Sequence, residues 1–420
     1  MSAAAEPFAL YVHIPFCEAK CTYCDFNSYA GQESLMAPYA AAVAHEAALW
    51  SPALRGRQVA TAFFGGGTPS LMPAEQLATI IDALGAAFDR DPDAEVTLEV
   101  NPGTVDEAYL RAIRRLGVNR LSMGVQSFHE AELRRLERIH DAEAVRAAYA
   151  AARRAGFDNL NLDLIYGLIG QTLAQWQENL EIALALGPEH LSLYALTLEE
   201  GTPLTRDVER GRSAAPDPDL QADMYEWSRD RMASAGFEQY EVSNWALPGR
   251  RCRHNLTYWR NGDWLGLGAG AHSHLFGERF ADVATPSRYI KAVGQTGKLA
   301  NGQTGKTASS AHGEPVEPGA APVGAMPQIG YREAADARRE MSETVILALR
   351  LIEGLDLAAF ERRFGVSVEA AFPEALRETL VLGLTEVVDG RLRLREEAVF
   401  LGDEASVRFL PGEVVVGEVV

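Results

Sequence analysis

Short apolar segments rich in β-branched residues alternate with longer helical segments through the first half of the chain. The strand-like segments lie at 9–14, 58–64, 95–100, 119–125, 158–165 and 190–195. Alanine- and leucine-rich segments with helical spacing lie between them, at 36–50, 73–88, 105–116, 142–155 and 173–186. Because strands that alternate with helices form parallel sheets with right-handed crossovers, this pattern predicts an α/β fold. Six such units predict a partial TIM-like (β/α)6 barrel with its chemistry at the C-terminal strand ends.

The pattern changes after residue 295. Segment 296–330 is dense in Gly, Pro, Ala and Ser and lacks a hydrophobic period, which predicts a flexible low-complexity insertion. Segment 334–352 is strongly helical, and the segments after it predict a small helical domain closed by a β-hairpin, similar to a winged helix. We therefore predict four regions: a core barrel over 1–240, a barrel extension over 241–295, the insertion over 296–330 and the winged-helix-like domain over 331–420.

Charge and composition narrow the classes of partner. The 420 residues are 47% hydrophobic and 23% charged, as in ordinary globular proteins. A net charge of -19 and a pI near 5.0 oppose binding to nucleic acid or anionic lipid, so a docking or lid role is favoured for the winged-helix-like domain. No run of about 18 apolar residues and no secretion signal occur, which predicts a cytoplasmic protein without a transmembrane segment. Peripheral membrane contact stays open.

Three of the four cysteines fall within eight positions near the N-terminus. Cys17, Cys21 and Cys24 form a CxxxCxxC loop directly after the first predicted strand. Three thiolates on one loop suit three irons of a [4Fe–4S] cubane, whereas structural zinc prefers four protein ligands. The fourth iron is then open to the amino and carboxylate groups of S-adenosylmethionine (SAM). An oxidised or zinc-bound loop is the alternative, and Cys252 is expected to be a small buried residue.

Glycine and polar residues follow the next predicted strands. The run Gly65–Gly67, with Thr68, allows a ligand to approach the backbone closely, although glycines after a strand are also common turn residues. Because the cysteine loop is present, we interpret this run as a site for the SAM amino group. Polar side chains at strand ends must be paired with each other or with a ligand if they are buried, and they are Glu99, Asn101, Gln126, Ser127 and Asp163.

Specific roles follow from the chemistry of three of these side chains. The carboxylates of Glu99 and Asp163 suit ribose hydroxyls as hydrogen-bond acceptors. The guanidinium of Arg138 suits the SAM carboxylate, and the alternative is an ordinary exposed arginine on a helix.

The segment Arg253–Trp259 combines an imidazole with two aromatic rings. His254 suits an axial iron ligand, and Tyr258 and Trp259 suit a flat apolar partner such as a porphyrin. The alternative is a structural histidine in a core strand or turn. His272, in the glycine-rich stretch 266–273, is a further candidate to face a ligand.

Several of these motifs, in this order, resemble the oxygen-independent coproporphyrinogen III oxidase family of radical-SAM proteins. The motifs are Tyr11–Phe26, GGGTPS, LEVNPG, RLSMGVQSF, NLDLIYGL and HNLTYW, and the resemblance runs through about 10–295 and 331–410. It implies that Cys17, Cys21 and Cys24 bind the cluster. It also implies that SAM is held at Tyr11, Tyr23, Gly66, Gly67, Thr68, Glu99, Gln126, Arg138, Asp163 and Ala195, with His272 a weaker match.

Two departures separate the chain from the oxidase itself. The oxidase has a fourth cysteine two residues after the third, where this chain has Phe26, and an N-terminal extension, where only ten residues precede Tyr11. Together with HNLTYW, both departures resemble the heme-chaperone branch of the family. We therefore expect a protein that binds heme, SAM and the cluster and delivers heme to respiratory or other hemoproteins. The alternative is an oxidase that decarboxylates porphyrin propionates by radical chemistry.

Overall fold

The computed structural model describes residues 6–300, 326–333 and 336–411. Contacts between residues divide the chain into two compact units. The first comprises Met1–Leu160, Thr197–Ser213 and Asp263–Ala334, and the second comprises Asn161–Leu196, Ala214–Gly262 and Ala335–Val420. The predicted core region 1–240 thus contributes to both units, and the bounds of the four predicted regions stay predictions.

The strands follow the predicted order along the chain. They are β1 (Phe8–Ile14), β2 (Phe16–Cys17), β3 (Tyr29–Ala30), β4 (Gln58–Gly66), β5 (Asp89–Val100), β6 (Arg120–Gln126), β7 (Leu160–Tyr166), β8 (His190–Ala195), β9 (Glu238–Glu241), β10 (Asn244–Ala246), β11 (Trp264–Leu267), β12 (His272–Leu275), β13 (Glu278–Asp282), β14 (Ile329–Glu333), β15 (Leu355–Asp356), β16 (Thr385–Val388) and β17 (Arg391–Leu394).

The α-helices fall mainly between these strands. They are α1 (Met36–Trp50), α2 (Ala74–Ala87), α3 (Glu107–Arg115), α4 (Glu130–Arg135), α5 (Ala142–Arg154), α6 (Leu173–Leu186), α7 (Pro203–Glu209), α8 (Pro218–Ser234), α9 (Arg253–Trp259), α10 (Pro286–Ala300), α11 (Ala337–Leu349), α12 (Leu357–Phe364), α13 (Val368–Ala371), α14 (Pro373–Val381) and α15 (Gly402–Ser406). Local sequence sets their ends. Thr172 and Gln175 form a capping box at the start of α6, and Gly187 ends that helix in the left-handed conformation.

In the first unit the strands run in the order β14-β13-β12-β11-β1-β4-β5-β6. Strands β11, β1, β4, β5 and β6 pair in parallel, whereas β11 to β14 pair antiparallel. Strand β1 has parallel neighbours on both sides, and its residues Phe8, Leu10, Val12 and Ile14 are buried. Since parallel strands end at the same edge, the loops after β1, β4, β5 and β6 lie side by side.

In the second unit, β7 and β8 pair in parallel, and β10 and β9 add to them antiparallel. A separate sheet has the order β15-β17-β16. Its hairpin turns at Asp389 and Gly390, both with positive φ, as a two-residue turn between twisted strands requires. Helices α11 to α15 pack beside this sheet on a core that includes Phe360, Phe372 and Phe409.

The predicted α/β fold is confirmed. All six predicted strands and all five predicted helices of the first half are present, as are the helices and the hairpin predicted after residue 331. Within the predicted insertion, α10 continues to Ala300 and β14 pairs with β13 from Ile329 onward. Met326 and Gln328 are buried, and the Gln328 amide donates to the Glu46 carboxylate at 3.3 Å. Residues 301–325 of the insertion lie outside the described residues.

Candidate functional site

The cysteine loop, residues 17–28, leaves the sheet after β1. A short parallel pairing of β2 with β3 closes the loop, and the Tyr29 N–H donates to the Pro15 carbonyl at 2.7 Å. Between these ends the Cys24 N–H donates to the Cys21 carbonyl at 3.2 Å, which makes a tight turn. Cys17, Cys21 and Cys24 are all half-buried free thiols.

Below the loop, His13 fixes its far end. The His13 Nε2 lies 2.8 Å from the Asn27 carbonyl oxygen, and Nδ1 lies 2.9 Å from the Tyr11 hydroxyl. Since a carbonyl can only accept, Nε2 carries the proton and Nδ1 accepts from Tyr11. Burial lowers the pKa of His13, which keeps the ring neutral, as this pattern of hydrogen bonds requires. Tyr11 therefore has a supporting role for the loop in addition to its predicted contact with SAM.

The glycine run Gly65–Gly67 packs against the same loop. A Cβ atom on Gly66, whose φ is +116°, would lie 2.5 Å from the His13 ring, and one on Gly67 would lie 2.7 Å from the Phe16 carbonyl oxygen. The N–H groups of Gly67 and Thr68 donate to the Ile14 and Phe16 carbonyls at 2.8 and 2.7 Å. The protein's own packing thus requires these glycines, and their contact with SAM stays a prediction.

Two side chains reach the thiols from other elements. The Thr68 hydroxyl lies 3.7 Å from the Cys17 sulfur, and Arg138 Nη1 lies 3.7 Å from the Cys21 sulfur. Arg138 Nη2 donates to the Gly124 carbonyl at 2.9 Å, and its guanidinium also hydrogen-bonds to Tyr23. Burial raises the pKa of the Tyr23 hydroxyl, so Tyr23 is a neutral partner.

Arg138 is neither on a helix nor fully exposed, in contrast to the alternative interpretation as an ordinary exposed arginine on a helix. Helix α4 ends at Arg135, and Arg138 is half-buried after a turn in which Glu137 has a φ of 54°. Its Nε–H is buried and has no hydrogen-bond partner among the described residues. A guanidinium with an unpaired buried donor beside a thiol suits an anionic ligand such as a carboxylate. This observation fits the predicted place of the SAM carboxylate.

Glu99 and Gln126 also lie at this edge of the first unit. The Gly66 N–H donates to the Glu99 carboxylate at 3.2 Å, so Glu99 lies against the glycine run at the end of β5. Gln126, the last residue of β6, has a φ of 67°, which a residue with a side chain rarely adopts. A Cβ atom on Gly124 would lie 3.1 Å from the Gln126 amide and 3.3 Å from Arg138. The strained backbone thus places Gln126 beside Arg138.

The three thiols suit a cluster better than a single metal ion. In the described part of the chain, no three His, Cys, Asp or Glu side chains are placed to hold one metal ion. In a cubane each thiolate binds a different iron, so the sulfurs need not meet at one point. Three half-buried thiols on one loop, with Arg138 beside Cys21, therefore fit a [4Fe–4S] cluster with one iron left without a protein ligand.

Asp163 and Ala195 lie in the second unit. Asp163 is in the middle of β7 and not at its end as predicted, because β7 continues to Tyr166. Its carboxylate accepts from the Asn161 amide at 2.8 Å. Ala195 is the last residue of β8, opposite Tyr166. Their predicted contacts with SAM stay predictions.

The HNLTYW segment is the helix α9 and not the strand or turn of the alternative interpretation. His254 is buried, and its Nε2 lies 2.8 Å from the Tyr258 hydroxyl one turn further along. Coordination of a heme iron by this nitrogen requires the hydrogen bond to break. Trp259 lies under the Arg350 guanidinium, with 4.6 Å between the guanidinium carbon and the ring centroid.

Three further predicted residues behave differently from one another. His272 is exposed at the start of β12 in the first unit, and Cys252 is fully buried beside Tyr240, Ala246 and Leu256, as expected of a structural thiol. The Phe26 side chain is 63% exposed. An exposed apolar ring therefore occupies the position where the oxidase has its fourth cysteine.

Sequence reasoning missed His140 and the role of His13. His140 is buried between the Asn101 side chain at 3.0 Å and the Val125 carbonyl at 3.1 Å, where burial lowers its pKa to about 4. It ties the ends of β5 and β6 together as a neutral ring. The histidine two residues after Tyr11 in YVHIP was a signal for the first of these residues, but nothing near His140 in sequence pointed to Asn101.

Comparisons with known proteins identify related families and a related fold. The profile of the Radical SAM superfamily matches residues 11–183, and that of the HemN C-terminal domain matches residues 335–401. The heme chaperone HemW of Mycobacterium tuberculosis is 38% identical over 97% of this chain and 95% of that protein. HemW of Bacillus subtilis is 32% identical over 95% of this chain and 98% of its own. Among solved structures, the radical-SAM coproporphyrinogen III oxidase HemN of Escherichia coli has a TM-score of 0.77 at 25% identity, covering 96% of this chain and 90% of that chain.

The fold and the cysteine loop define a radical-SAM protein, a class that implies a [4Fe–4S] cluster and SAM as cofactors. Within this class, the chain belongs to the heme chaperone HemW family. The predicted heme-chaperone branch is thereby confirmed. No helix of the described residues has the length and apolar character needed to cross a membrane.

Proposed function

We propose that this protein is a cytoplasmic heme carrier, which binds heme and delivers it to respiratory or other heme-accepting proteins. The observation that supports this most strongly is its similarity to a protein named heme chaperone HemW over 97% of the chain. The exposed Phe26 ring at the position of the oxidase's fourth cysteine agrees with a carrier.

The cofactors occupy the loop edge of the first unit in this proposal. Cys17, Cys21 and Cys24 hold the cluster, and an open iron on the bound cluster takes the amino and carboxylate groups of SAM. The Arg138 Nε–H pairs with the SAM carboxylate, and Glu99 accepts from a ribose hydroxyl. The remaining SAM contacts in the first unit are Tyr11, Tyr23, Gly66, Gly67, Thr68 and Gln126, and the predicted SAM contacts of Asp163 and Ala195 concern the second unit.

Heme is held at α9 in this proposal, with His254 as the iron ligand. The His254 imidazole hydrogen-bonds to the Tyr258 hydroxyl, so binding of the heme iron to His254 replaces that hydrogen bond. His272, which is exposed, is the next candidate ligand.

A hemin titration followed by transfer to an apo-hemoprotein tests the carrier function. We expect saturable binding, a Soret band that changes in the His254→Ala variant, and transfer of heme that is faster than its spontaneous loss from albumin. A wild-type protein that binds no hemin, or that binds it and never releases it to an acceptor, contradicts the proposal.

The oxidase is the second candidate, because HemN shares the fold over 96% of this chain. It requires SAM cleavage and loss of carbon dioxide from coproporphyrinogen. Conversion of coproporphyrinogen under anaerobic conditions by wild-type protein that binds no heme supports this alternative over the carrier.

A further inference from the structure

A cleft of about 330 Å³ lies within the second unit, and none of its lining residues is one that the family resemblance assigns to the cluster or SAM. It is bordered by α8, the β9-β10 hairpin, the segment after α11, the β16-β17 hairpin and the segment 395–399 that follows this hairpin. Its volume is at the low end of the range for small-molecule sites. The cleft is therefore large enough to take part of a ligand.

The lining of the cleft is cationic in an acidic protein. Its charged side chains are four arginines and three glutamates, namely Arg229, Arg350, Arg393, Arg395, Glu386, Glu396 and Glu397. Across the whole chain, by contrast, the net charge is -19. Apolar side chains that include Leu349, Ile352 and Val399 form the rest of the wall. Such a surface suits a ligand that joins carboxylate groups to an apolar body.

Arg350 connects this cleft to α9. Its guanidinium lies over the Trp259 ring, and its Nη2 donates to the buried Glu241 carboxylate at 3.3 Å. Arg350 Nε and Trp259 Nε1 are both buried, and neither has a hydrogen-bond partner among the described residues. Two unpaired buried donors on one stacked pair indicate that an acceptor is missing there.

Two of the other three arginines have exposed acidic partners. Glu396 pairs with Arg229 and Glu397 pairs with Arg395, and these two glutamate side chains are 75% and 78% exposed. Glu386 pairs with Arg393 across the hairpin at 2.8 Å. Exposed ion pairs contribute little to stability, so a ligand carboxylate can take the place of Glu396 or Glu397 at small cost, whereas it would join the half-buried pair of Glu386 and Arg393.

We propose that this cleft binds the propionate groups of the porphyrin, with Arg229 and Arg393 as their counterions and Arg350 joining the cleft to α9. This assignment rests on the proposed heme-binding function. It gives the second unit both a candidate iron ligand, His254, and a site for the charged edge of the same ring. A porphyrin whose propionates are esterified lacks the groups that this cleft recognises.

The test compares hemin with hemin dimethyl ester in the full-length protein, both added in the same cosolvent and followed by absorbance. The variant is R229Q/R393Q, and the matched control is R391Q. Arg391 is on the same strand as Arg393, is similarly exposed and does not line the cleft. Thermal unfolding of all three proteins confirms equal folding.

We expect the double variant to bind hemin about tenfold or more weakly, the scale of a lost charge-assisted contact, with ester binding unchanged. The R391Q control should bind both ligands as wild type does. Hemin bound with wild-type affinity by the double variant overturns the cleft assignment alone, as does an equal loss of hemin and ester binding. Wild-type protein that binds neither ligand overturns the proposed function, and the cleft assignment with it.

Discussion

The cysteine loop and helix α9 carry the two halves of the proposed function, and they differ in how ready they are to bind. The loop has three half-buried thiols, two of which have donors placed beside them by Thr68 and Arg138. In α9, His254 is buried and hydrogen-bonds to Tyr258. The thiols of the loop are therefore partly accessible and have donors beside them, whereas the candidate heme ligand is buried and engaged by Tyr258.

The largest expected effect is at the cysteine loop. Replacing Cys21 by Ala removes one of three cluster ligands, so we expect the anaerobically reconstituted variant to lose most of the about four irons that a cubane supplies. Iron and sulfide analysis with EPR measures this. Cys252→Ala is the control, because Cys252 is a buried residue of the second unit and is not part of the loop, and this variant should keep its iron. A folded Cys21→Ala protein with a full cluster refutes the assignment.

Substitution of Arg138 tests whether the site at the cysteine loop also recognises SAM. Arg138→Met removes the unpaired Nε–H donor and the cation beside Cys21, so we expect SAM affinity to fall by about 1–3 kcal/mol. A SAM titration that monitors the cluster's EPR signal measures this, after iron content shows that the variant is loaded. Arg146→Met is the control, because Arg146 stacks on Phe128 and bonds to its own helix. Equal SAM affinity in both variants places the carboxylate elsewhere.

The two regions also differ in how far the sequence predicts them. The loop follows from spacing alone, since CxxxCxxC after a strand puts three thiols at one strand end. Arg138 reaches Cys21 across 117 positions, through a turn after α4 that no local pattern indicates. In α9 the spacing of His254 and Tyr258 by four residues is a helical signal, whereas the alternative interpretation placed His254 in a core strand or turn. Burial of His254 depends on tertiary packing and could not be read from the segment.

The role of His254 in α9 can be tested by removing its hydrogen bond to Tyr258. Tyr258→Phe removes the hydroxyl that engages His254 Nε2 and keeps the ring, so we expect heme affinity to rise about fivefold, the scale of one net hydrogen bond. Hemin titration with the Soret band as readout measures this. His254→Ala is the paired variant and should change the band. If Tyr258→Phe loses heme binding and His254→Ala keeps it, the ligand is the tyrosine and not the histidine.

A buried pair of carboxyl groups, Glu46 and Asp282, supports the cysteine loop from the core side. Glu46 accepts from the Gly268 N–H at 3.0 Å and hydrogen-bonds to Asp282, and Tyr39 donates to the His13 carbonyl at 2.7 Å beside them. Burial raises the pKa of the Asp282 carboxyl well above its usual value, and the Glu46 charge adds to the rise. The neutral acid is thus the form that the folded state favours.

The smallest effect follows from this pair. A carboxyl group whose pKa is raised in the folded state contributes stability that is fully present below its unfolded pKa of about 4. This contribution is lost as the pH rises through the folded-state pKa, so the free energy of unfolding of wild type should fall toward high pH. Asp282→Asn cannot ionise, so its melting temperature should gain on that of wild type by a few degrees between about pH 5 and about pH 8. Glu226→Gln, which changes an exposed acid, is the control. A difference between Asp282→Asn and wild type that stays constant with pH contradicts the raised pKa.

The most direct test of the carrier function uses one anaerobically reconstituted preparation with cluster and SAM, divided between two assays. One half is titrated with hemin, and the other is incubated with coproporphyrinogen III, a reductant and an electron acceptor. The carrier account predicts saturable heme binding and no decarboxylated porphyrin. Conversion of coproporphyrinogen with SAM cleavage, by a protein that binds no heme, contradicts it.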